Sequence, residues 1–317
     1  MNNVIEVNNL VKNFEVSKGF FSRNKNVVKA VDGISFSIPK GESLGLVGQS
    51  GCGKTTTARA LCLLEPKTSG EVKFFNPEAN EMQDLDSLTE EQVKQFRRNT
   101  QMIFQDPYES LNPRWTIKDI ILEPLNIHNI GSLENRTEAV VEILKTVGLT
   151  PPENYLPRYP HELSGGQRQR VSIARSLIMN PKFVICDEPT SMLDVSIRIS
   201  IMDLMLDLAK DLQVSYLYIT HDLAVARYMC NRIAVMFNGK IVEIAKTEDL
   251  LSNPIHPYTK RLISSIPVPD PKYIRNKYEI DFTELDEIIK NNSENLPMVD
   301  IGNEHFVATH DVKDLLI

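Results

Sequence analysis

Two kinds of apolar spacing alternate along this chain. The stretch from Val4 to Phe14 contains alternating apolar positions at Ile5 and Val7, and Ile34-Ser35-Phe36-Ser37-Ile38, which Pro39-Lys40-Gly41 ends, alternates throughout. Period two marks a half-buried strand. Compact apolar runs at Leu44-Gly45-Leu46-Val47, Glu71 to Phe75, Gln101 to Phe104, Phe183 to Cys186 and Ser215 to Ile219 also read as strands. Between them the spacing lengthens to three and four. Thr89-Glu90-Glu91-Gln92 has capping-box spacing at the head of a polar helix reaching about Arg98. From Leu111 to about Met179 the pattern is helical, most clearly over Ile117–Leu125 and Ala139–Val147, and Ile197–Leu212 is amphipathic. Arg232–Phe237 and Lys240–Ile244 flank Asn238-Gly239, a strong hairpin signal. Strands alternating with helices predict a mainly parallel α/β sheet, and the short strands near both ends predict an antiparallel appendage. The segment from Ser17 to Asn26 is polar and basic around Gly19-Phe20-Phe21, and suits a flexible loop or a contact surface equally. Ile266-Pro267-Val268-Pro269-Asp270-Pro271 reads as a boundary.

Composition changes this picture in three ways. The 317 residues exceed one compact core, so a large domain with an appendage, or two domains, is expected. The net charge is −7, and the chain from Pro271 onward, with five basic and ten acidic residues, carries −5 of it. That balance argues against a nucleic-acid partner. Cys52, Cys62, Cys186 and Cys230 have neither metal-ligand nor disulfide spacing, which predicts reduced thiols in a cytosolic compartment. The first residues lack the pattern of a signal peptide, and no apolar stretch reaches the length of a membrane span. Any membrane role is expected to run through a partner.

The chemistry starts at Gly48-Gln49-Ser50-Gly51-Cys52-Gly53-Lys54-Thr55, which is followed by Thr56 and sits between a predicted strand and a predicted helix. This is the phosphate-loop pattern in the setting it requires. Glycines let backbone N–H groups converge on one anion, and the helix start adds its unpaired donors and dipole. Lys54 is a mobile cation for the β- and γ-phosphates, and the Thr55 hydroxyl is a hard oxygen ligand for Mg2+. Asp187 and Glu188 end the Phe183 strand. There Asp187 would hold the metal and Glu188 would polarise the attacking water. Ser164, Gly165, Gly166 and Gln167 open another helix after Leu163. A serine and two glycines there form a second anion-binding end, for which one chain has no evident use. A dimer in which this segment closes over the partner's nucleotide explains it most simply.

With these motifs in order, the chain resembles the ATP-binding subunit of ABC transporters over roughly residues 4 to 250. The fold class implied is a RecA-like P-loop NTPase core with an antiparallel β appendage and the helical insertion of the ABC type, here about residues 107–179. By that resemblance Gln105 touches the metal or water and senses the membrane partner, His221 contacts the γ-phosphate, Asp194 links the two sites of the dimer, and Phe14 stacks on adenine. ATP and Mg2+ are the implied cofactors. The implied partners are a second ATP-binding chain, identical or paralogous, two membrane-spanning permeases, and an extracytoplasmic substrate-binding protein at one remove. The implied location is the cytoplasmic face of the membrane.

A narrower resemblance rests on Gln105-Asp106-Pro107-Tyr108, Ser110 to Arg114, Arg158-Tyr159-Pro160-His161-Glu162, and Asn253-Pro254-Ile255-His256-Pro257-Tyr258-Thr259-Lys260. These are similar to the oligopeptide and dipeptide importers, a branch that also handles nickel and glutathione. The division expected is an ATP-binding domain over 1–252 and a C-terminal extension over 253–317, in which Phe282–Lys290 suits a short amphipathic helix. Many members of the branch end in a cysteine cluster holding an iron–sulfur centre. This chain has no cysteine after Cys230, so no such centre is expected. A soluble ABC ATPase of DNA repair or the ribosome is the competing expectation, and a subunit that binds ATP while hardly hydrolysing it is a third. The zinc module, coiled coil or second cassette of the soluble kind is not visible here, and Glu188 with His221 speaks against the third.

Overall fold

A computed structural model describes residues 3–17, 25–265 and 296–309. The predicted loop at 17–26 and the predicted helix at 282–290 lie largely or wholly outside these residues.

The chain begins with two long strands, β1 (Asn3–Ser17) and β2 (Lys25–Pro39), paired antiparallel. The wholly buried β3 (Ser43–Val47) leads through the glycine-rich loop into α1 (Lys54–Leu61). Strands β4 (Ser69–Asn76) and β5 (Glu81–Asp84) then return to the first pair, giving a four-stranded antiparallel sheet in the order β2-β1-β4-β5. Helix α2 (Glu90–Asn99) starts at Thr89, where the expected capping box forms: Thr89 N donates to Gln92 Oε1 at 2.9 Å, and Gln92 N donates to Thr89 Oγ1 at 3.4 Å. It delivers β6 (Thr100–Ile103).

The helical part follows, with α3 (Pro107–Ser110), α4 (Ile117–Ile127), α5 (Leu133–Thr146) and α6 (Gly165–Leu177). Threonine or serine caps α4, α5 and α6 at Thr116, Ser132 and Ser164. Each satisfies a backbone donor that the first turn leaves without an intrahelical partner. The core then resumes with β7 (Phe183–Asp187), α7 (Val195–Leu212), β8 (Ser215–Thr220), α8 (Leu223–Met229) and the hairpin β9 (Arg232–Phe237) and β10 (Lys240–Lys246). Two short helices, α9 (Thr247–Ser252) and α10 (Pro257–Ser264), and a hairpin of β11 (Met298–Asp300) and β12 (Phe306–Ala308) complete the described chain.

The eight-stranded sheet runs β11-β12-β10-β9-β3-β8-β7-β6. From β9 to β6 neighbouring strands are parallel, and every residue of β3, β7 and β8 is buried. Covered on both faces, such strands carry continuous apolar runs and no alternation, which is why their sequences lack period two. The register aligns their carboxyl ends: Val47 pairs with Thr220 and Val235, Asp187 with Ile219, and Ile103 with Cys186. Loops leaving β3, β6, β7 and β8 therefore emerge along one edge, where open α/β sheets bind ligands.

One cluster of apolar side chains joins the antiparallel sheet (Ile5, Leu10, Ile34) to α1 (Ala58, Leu61) and the main sheet (Leu46, Ile185, Ile219). A second lies under α4–α7, and a third under α8–α10 and β12. The terminal strands behave differently at the two ends. Those at the start form the separate antiparallel sheet, whereas β9 pairs parallel with β3, so the β9–β10 hairpin extends the main sheet. Hairpin signals are local and do not say which sheet a hairpin joins.

Candidate nucleotide site

The loop after β3 is shaped by close backbone approach. A Cβ on Gly48 would sit 2.1 Å from Met236 O, and one on Gly53 2.1 Å from Ala30 O. Gly53 has φ +110 and starts α1 in the left-handed region, where a side chain is strained. The first helical bond runs from Thr57 N to Gly53 O at 2.9 Å, so the amides of Lys54, Thr55 and Thr56 precede the ladder and have no partner within the helix. Cys52 N donates to Gln49 O, and Cys52 O accepts from Gly239 N, which ties the loop to the β9–β10 turn. Gln49, Ser50, Gly51 and Thr55 are exposed, Thr56 is half-buried, and Lys54 is buried. Lys54 Nζ donates to Gly48 O at 2.7 Å and Gln49 O at 3.0 Å, so the ammonium lies across the mouth of its own loop. Burial pushes the neighbouring Cys52 thiol up, against the opposing charge of Lys54.

The strand ends bring the predicted acids to this loop. Thr55 Oγ1 donates to Asp187 Oδ1 at 3.2 Å. Burial, reinforced by Glu188, raises the Asp187 pKa, while Thr55, Lys54 and Arg59 oppose the rise. Glu188 follows with φ +46, a conformation uncommon outside glycine. Its backbone is held from both sides: its N–H donates to Ile219 O at 3.0 Å, and its carbonyl accepts from the Ser191 amide and hydroxyl. The turned backbone aims the carboxylate between two neighbours. Gln105 Nε2, beyond the end of β6, donates to Glu188 Oε2 at 3.4 Å, and His221 Nδ1, at the end of β8, lies 2.9 Å from Glu188 Oε1. A hydroxyl and a carboxylate thus lie beside the phosphate loop, and a second carboxylate is bracketed by an amide and an imidazole. Hard oxygen donors of the Thr55–Asp187 kind fit Mg2+, and the bracketed carboxylate fits a water-orienting base.

Other predicted residues stand apart in this single chain. Ser164 N donates to Gln167 Oε1 at 2.9 Å, and Gln167 N donates to Ser164 Oγ at 3.3 Å, a complete capping box at the exposed start of α6. These bonds face inward on the segment itself, and none of them reaches the phosphate loop. Gly165 lies within ordinary contact distance of Leu193, whereas a Cβ on Gly166 would meet Ile197 Cγ2 at 2.6 Å, so Gly166 lets α6 approach the start of α7. Asp194 is exposed at the N-cap of α7, with no side-chain capping bond. Phe14 is 37% exposed on β1 opposite Val28, with Lys12 Nζ 4.7 Å from its ring centroid. Tyr258, which sequence reasoning did not assign to the site, also touches the loop: its hydroxyl accepts from Gln49 N at 3.2 Å. The His256-Pro257-Tyr258 run was visible in the sequence, but its contact spans 209 positions.

Comparison with known proteins gives concordant findings. A family model described as "ABC transporter" matches residues 31–191, and one described as "Oligopeptide/dipeptide transporter, C-terminal region" matches residues 242–288. The chain is 48% identical to the oligopeptide transport ATP-binding protein OppF of Bacillus subtilis, over 86% of each chain. It is 47% identical to AppF of the same organism, another oligopeptide transport ATP-binding protein, over 84% of this chain and 78% of that one. The glutathione import ATP-binding protein GsiA of Pectobacterium atrosepticum is 42% identical over 98% of this chain, which spans about half (49%) of GsiA. Among solved structures, the dimeric ATP-binding cassette MJ0796 bound to ADP and Pi superposes with a TM-score of 0.66 at 29% identity, over 77% of this chain and 98% of that one. The cassette cbiO1 of Clostridium perfringens, part of an ABC transporter complex, gives 0.65 at 25% identity, over 83% and 96%.

Proposed function

Because this chain belongs to the ABC transporter family, as an ATP-binding subunit of its oligopeptide and dipeptide importers, we propose that it hydrolyses ATP at the interface of two cassettes and passes their closure to membrane-spanning permeases. It is a transport-coupled ATPase that energises oligopeptide import. The observation that carries the site assignment is the meeting of Gln105, Glu188 and His221, from the ends of three parallel strands, beside a phosphate loop whose Thr55 bonds Asp187.

In this reading the amides of residues 51–56 and the Lys54 ammonium hold the β- and γ-phosphates and stabilise charge that develops on the transferring group. Glu188 accepts a hydrogen bond from the attacking water and aligns it with the γ-phosphorus, while Gln105 and His221 fix the direction of the Glu188 carboxylate. Thr55 and Asp187, with Gln105 at the edge, would hold Mg2+, which when bound neutralises charge on the β- and γ-phosphates. Phe14 offers its exposed ring to adenine. Ser164, Gly165, Gly166 and Gln167 complete the site of the second cassette, with Asp194 at the seam. Support for the trans arrangement comes from the exposure of Ser164 at the N-cap of α6, and from the similarity to a cassette whose solved form is a dimer.

The partner side of the reading rests on the helical part. Starting three residues along the chain from Gln105, an open groove is lined by Tyr108, Asn112, Trp115, Glu123 and Arg175, with Tyr108 58% exposed. A permease segment seated there would be joined to Gln105 through the short stretch leading into α3. Among the described residues no helix is long and apolar enough to cross a membrane. In this reading the permeases hold the chain peripherally, at the cytoplasmic face. A binding protein outside the membrane would deliver the cargo. A second cargo reading, glutathione, is favoured by the match to GsiA over 98% of this chain.

Purification of the tagged full chain from detergent-solubilised native membranes tests the assembly. Recovery of multi-span permeases together with phosphate release stimulated by a peptide-loaded binding protein is expected. Recovery only from the soluble fraction, with ribosomes or nucleic acid, would overturn it. Stimulation by glutathione and not by peptides would select the second cargo.

A further inference from the structure

Outside the residues already assigned, one chain of buried contacts ends on the nucleotide loop. The peptide unit between Gly48 and Gln49 is bonded at both ends. Its carbonyl, Gly48 O, accepts from Lys54 Nζ at 2.7 Å, and its N–H donates to the Tyr258 hydroxyl at 3.2 Å. Tyr258 is 2% exposed, and its ring packs on Phe237 at the end of β9, with centroids 4.4 Å apart. A ring that only filled space there would need no hydroxyl.

Tyr258 is itself held from behind. Pro257 stands at the first position of α10, where its fixed φ favours the helix start. His256 caps that helix, with Nδ1 accepting from Tyr258 N at 3.1 Å. The segment is fastened to the sheet by Glu243, which is wholly buried on β10 beside a register shift. Its carboxylate accepts from Ile255 N at 2.9 Å and His256 N at 3.0 Å, and His305 Nε2 lies 2.7 Å from Oε1. His305 is buried in the turn between β11 and β12. A buried carboxylate with three donors on two separate segments is expensive to leave incompletely paired, and so it fixes both segments against β10.

We propose that Tyr258 is a positioning residue for the nucleotide loop, set in place by the Glu243–His305 pair, so that the 296–309 hairpin is a working part of the ATP site. The physical role is specific. Lys54 must exchange its backbone carbonyls for phosphate oxygens when ATP binds, and of the two hydrogen bonds on the Gly48–Gln49 peptide the one to Tyr258 then remains. Without the hydroxyl, that peptide is held less firmly, and the loop pays an ordering cost on each binding event. The inference rests on residues 48–55 being the ATP-binding loop.

The test uses the full chain and a fluorescent ATP analogue with Mg2+, with the thermal midpoint measured in parallel. Tyr258→Phe is expected to weaken nucleotide binding about 5- to 20-fold, and to speed hydrogen exchange at the Gln49 amide, in protein that is fully folded. Folded Tyr258→Phe protein with wild-type affinity and exchange would overturn the proposal. If that variant does not fold, His305→Leu against His305→Gln decides the matter. Weaker binding in the leucine variant, restored by the glutamine that can still donate to Glu243, supports the proposal, and equal binding in both overturns it. Lys54→Ala separates the two readings. Lost binding in Lys54→Ala with unchanged binding in Tyr258→Phe removes only this inference, whereas unchanged binding in Lys54→Ala removes the site assignment beneath it.

Discussion

Glu188 Oε1 lies 2.9 Å from His221 Nδ1, across two adjacent strand ends and 33 residues of sequence. The carboxylate side chain is 14% exposed and the imidazole 55%, so the pair sits at the rim of the site with the histidine outermost. In the proposed mechanism the outer residue meets the γ-phosphate while the inner one aligns water. Replacing Glu188 by Gln keeps the shape and removes the acceptor charge. We expect Glu188→Gln to bind ATP as wild type does and to turn over about 100- to 1,000-fold more slowly, as read by phosphate release from the assembled transporter and by nucleotide binding. Turnover within a few-fold of wild type would remove Glu188 from the mechanism.

Two loop glycines should respond very differently to one methyl group. A Cβ on Gly53 meets Ala30 O at 2.1 Å in a left-handed backbone, whereas one on Gly51, also left-handed, meets nothing within 4 Å. Gly51→Ala is expected to cost about 1 kcal/mol of strain, and Gly53→Ala about 3 kcal/mol or more, because backbone must move. Urea unfolding of the two variants measures the difference, and equal losses would contradict the packing described.

Ser164 separates a local role from a role across the dimer. Its hydroxyl caps α6, so Ser164→Ala should lower the stability of the isolated chain by about 1 kcal/mol. If the segment also closes over the partner's nucleotide, that small change should accompany a loss of turnover far larger than the stability change explains, with ATP binding to the isolated chain unaltered. Unfolding, binding and steady-state hydrolysis of the same preparation give all three quantities.

His256 supplies a pH dependence of stability. Burial, partly offset by Glu243 and reinforced by Lys260, depresses its pKa to about 4 from the usual 6.5. Between these values the unfolded chain binds a proton that the folded chain excludes, so stability rises with pH across that window. The contribution is complete above about pH 6.5 and is lost as pH falls toward 4, by up to about 3 kcal/mol. Asn can still cap α10 but does not titrate. The wild type should therefore lose more stability than His256→Asn between pH 7 and 4.5 by urea unfolding, and parallel losses would assign the acid sensitivity elsewhere.

Much of the site was legible because its parts are local. A phosphate loop is a strand, a glycine turn and a helix start within a dozen residues, and the structure builds it that way at 43–61. The capping boxes at Thr89 and Ser164 need only four residues each. Gln105, Glu188 and His221 could be placed at strand ends, and parallel pairing then brought them to one edge. The C-terminal strands were harder. Met298–Asp300 and Phe306–Ala308 have three residues each, too few for a periodicity; Phe306–Ala308 is a strand because β10 offers an edge, and Met298–Asp300 because it pairs in turn with Phe306–Ala308.

By itself the sequence determined most of the longer strands and helices, the capping boxes at Thr89 and Ser164, and the strand–glycine turn–helix pattern of the phosphate loop. These follow from interactions within about four residues and from repeating apolar positions. Tertiary structure alone decided that the β9–β10 hairpin belongs to the main sheet, that Glu243 is buried against His305, and that Tyr258 holds the Gly48–Gln49 peptide. Those partners lie 62 and 209 positions apart. A hydroxyl or carboxylate carries no local mark of its distant partner; packing selects it, because a buried polar group must find one wherever the fold leaves it.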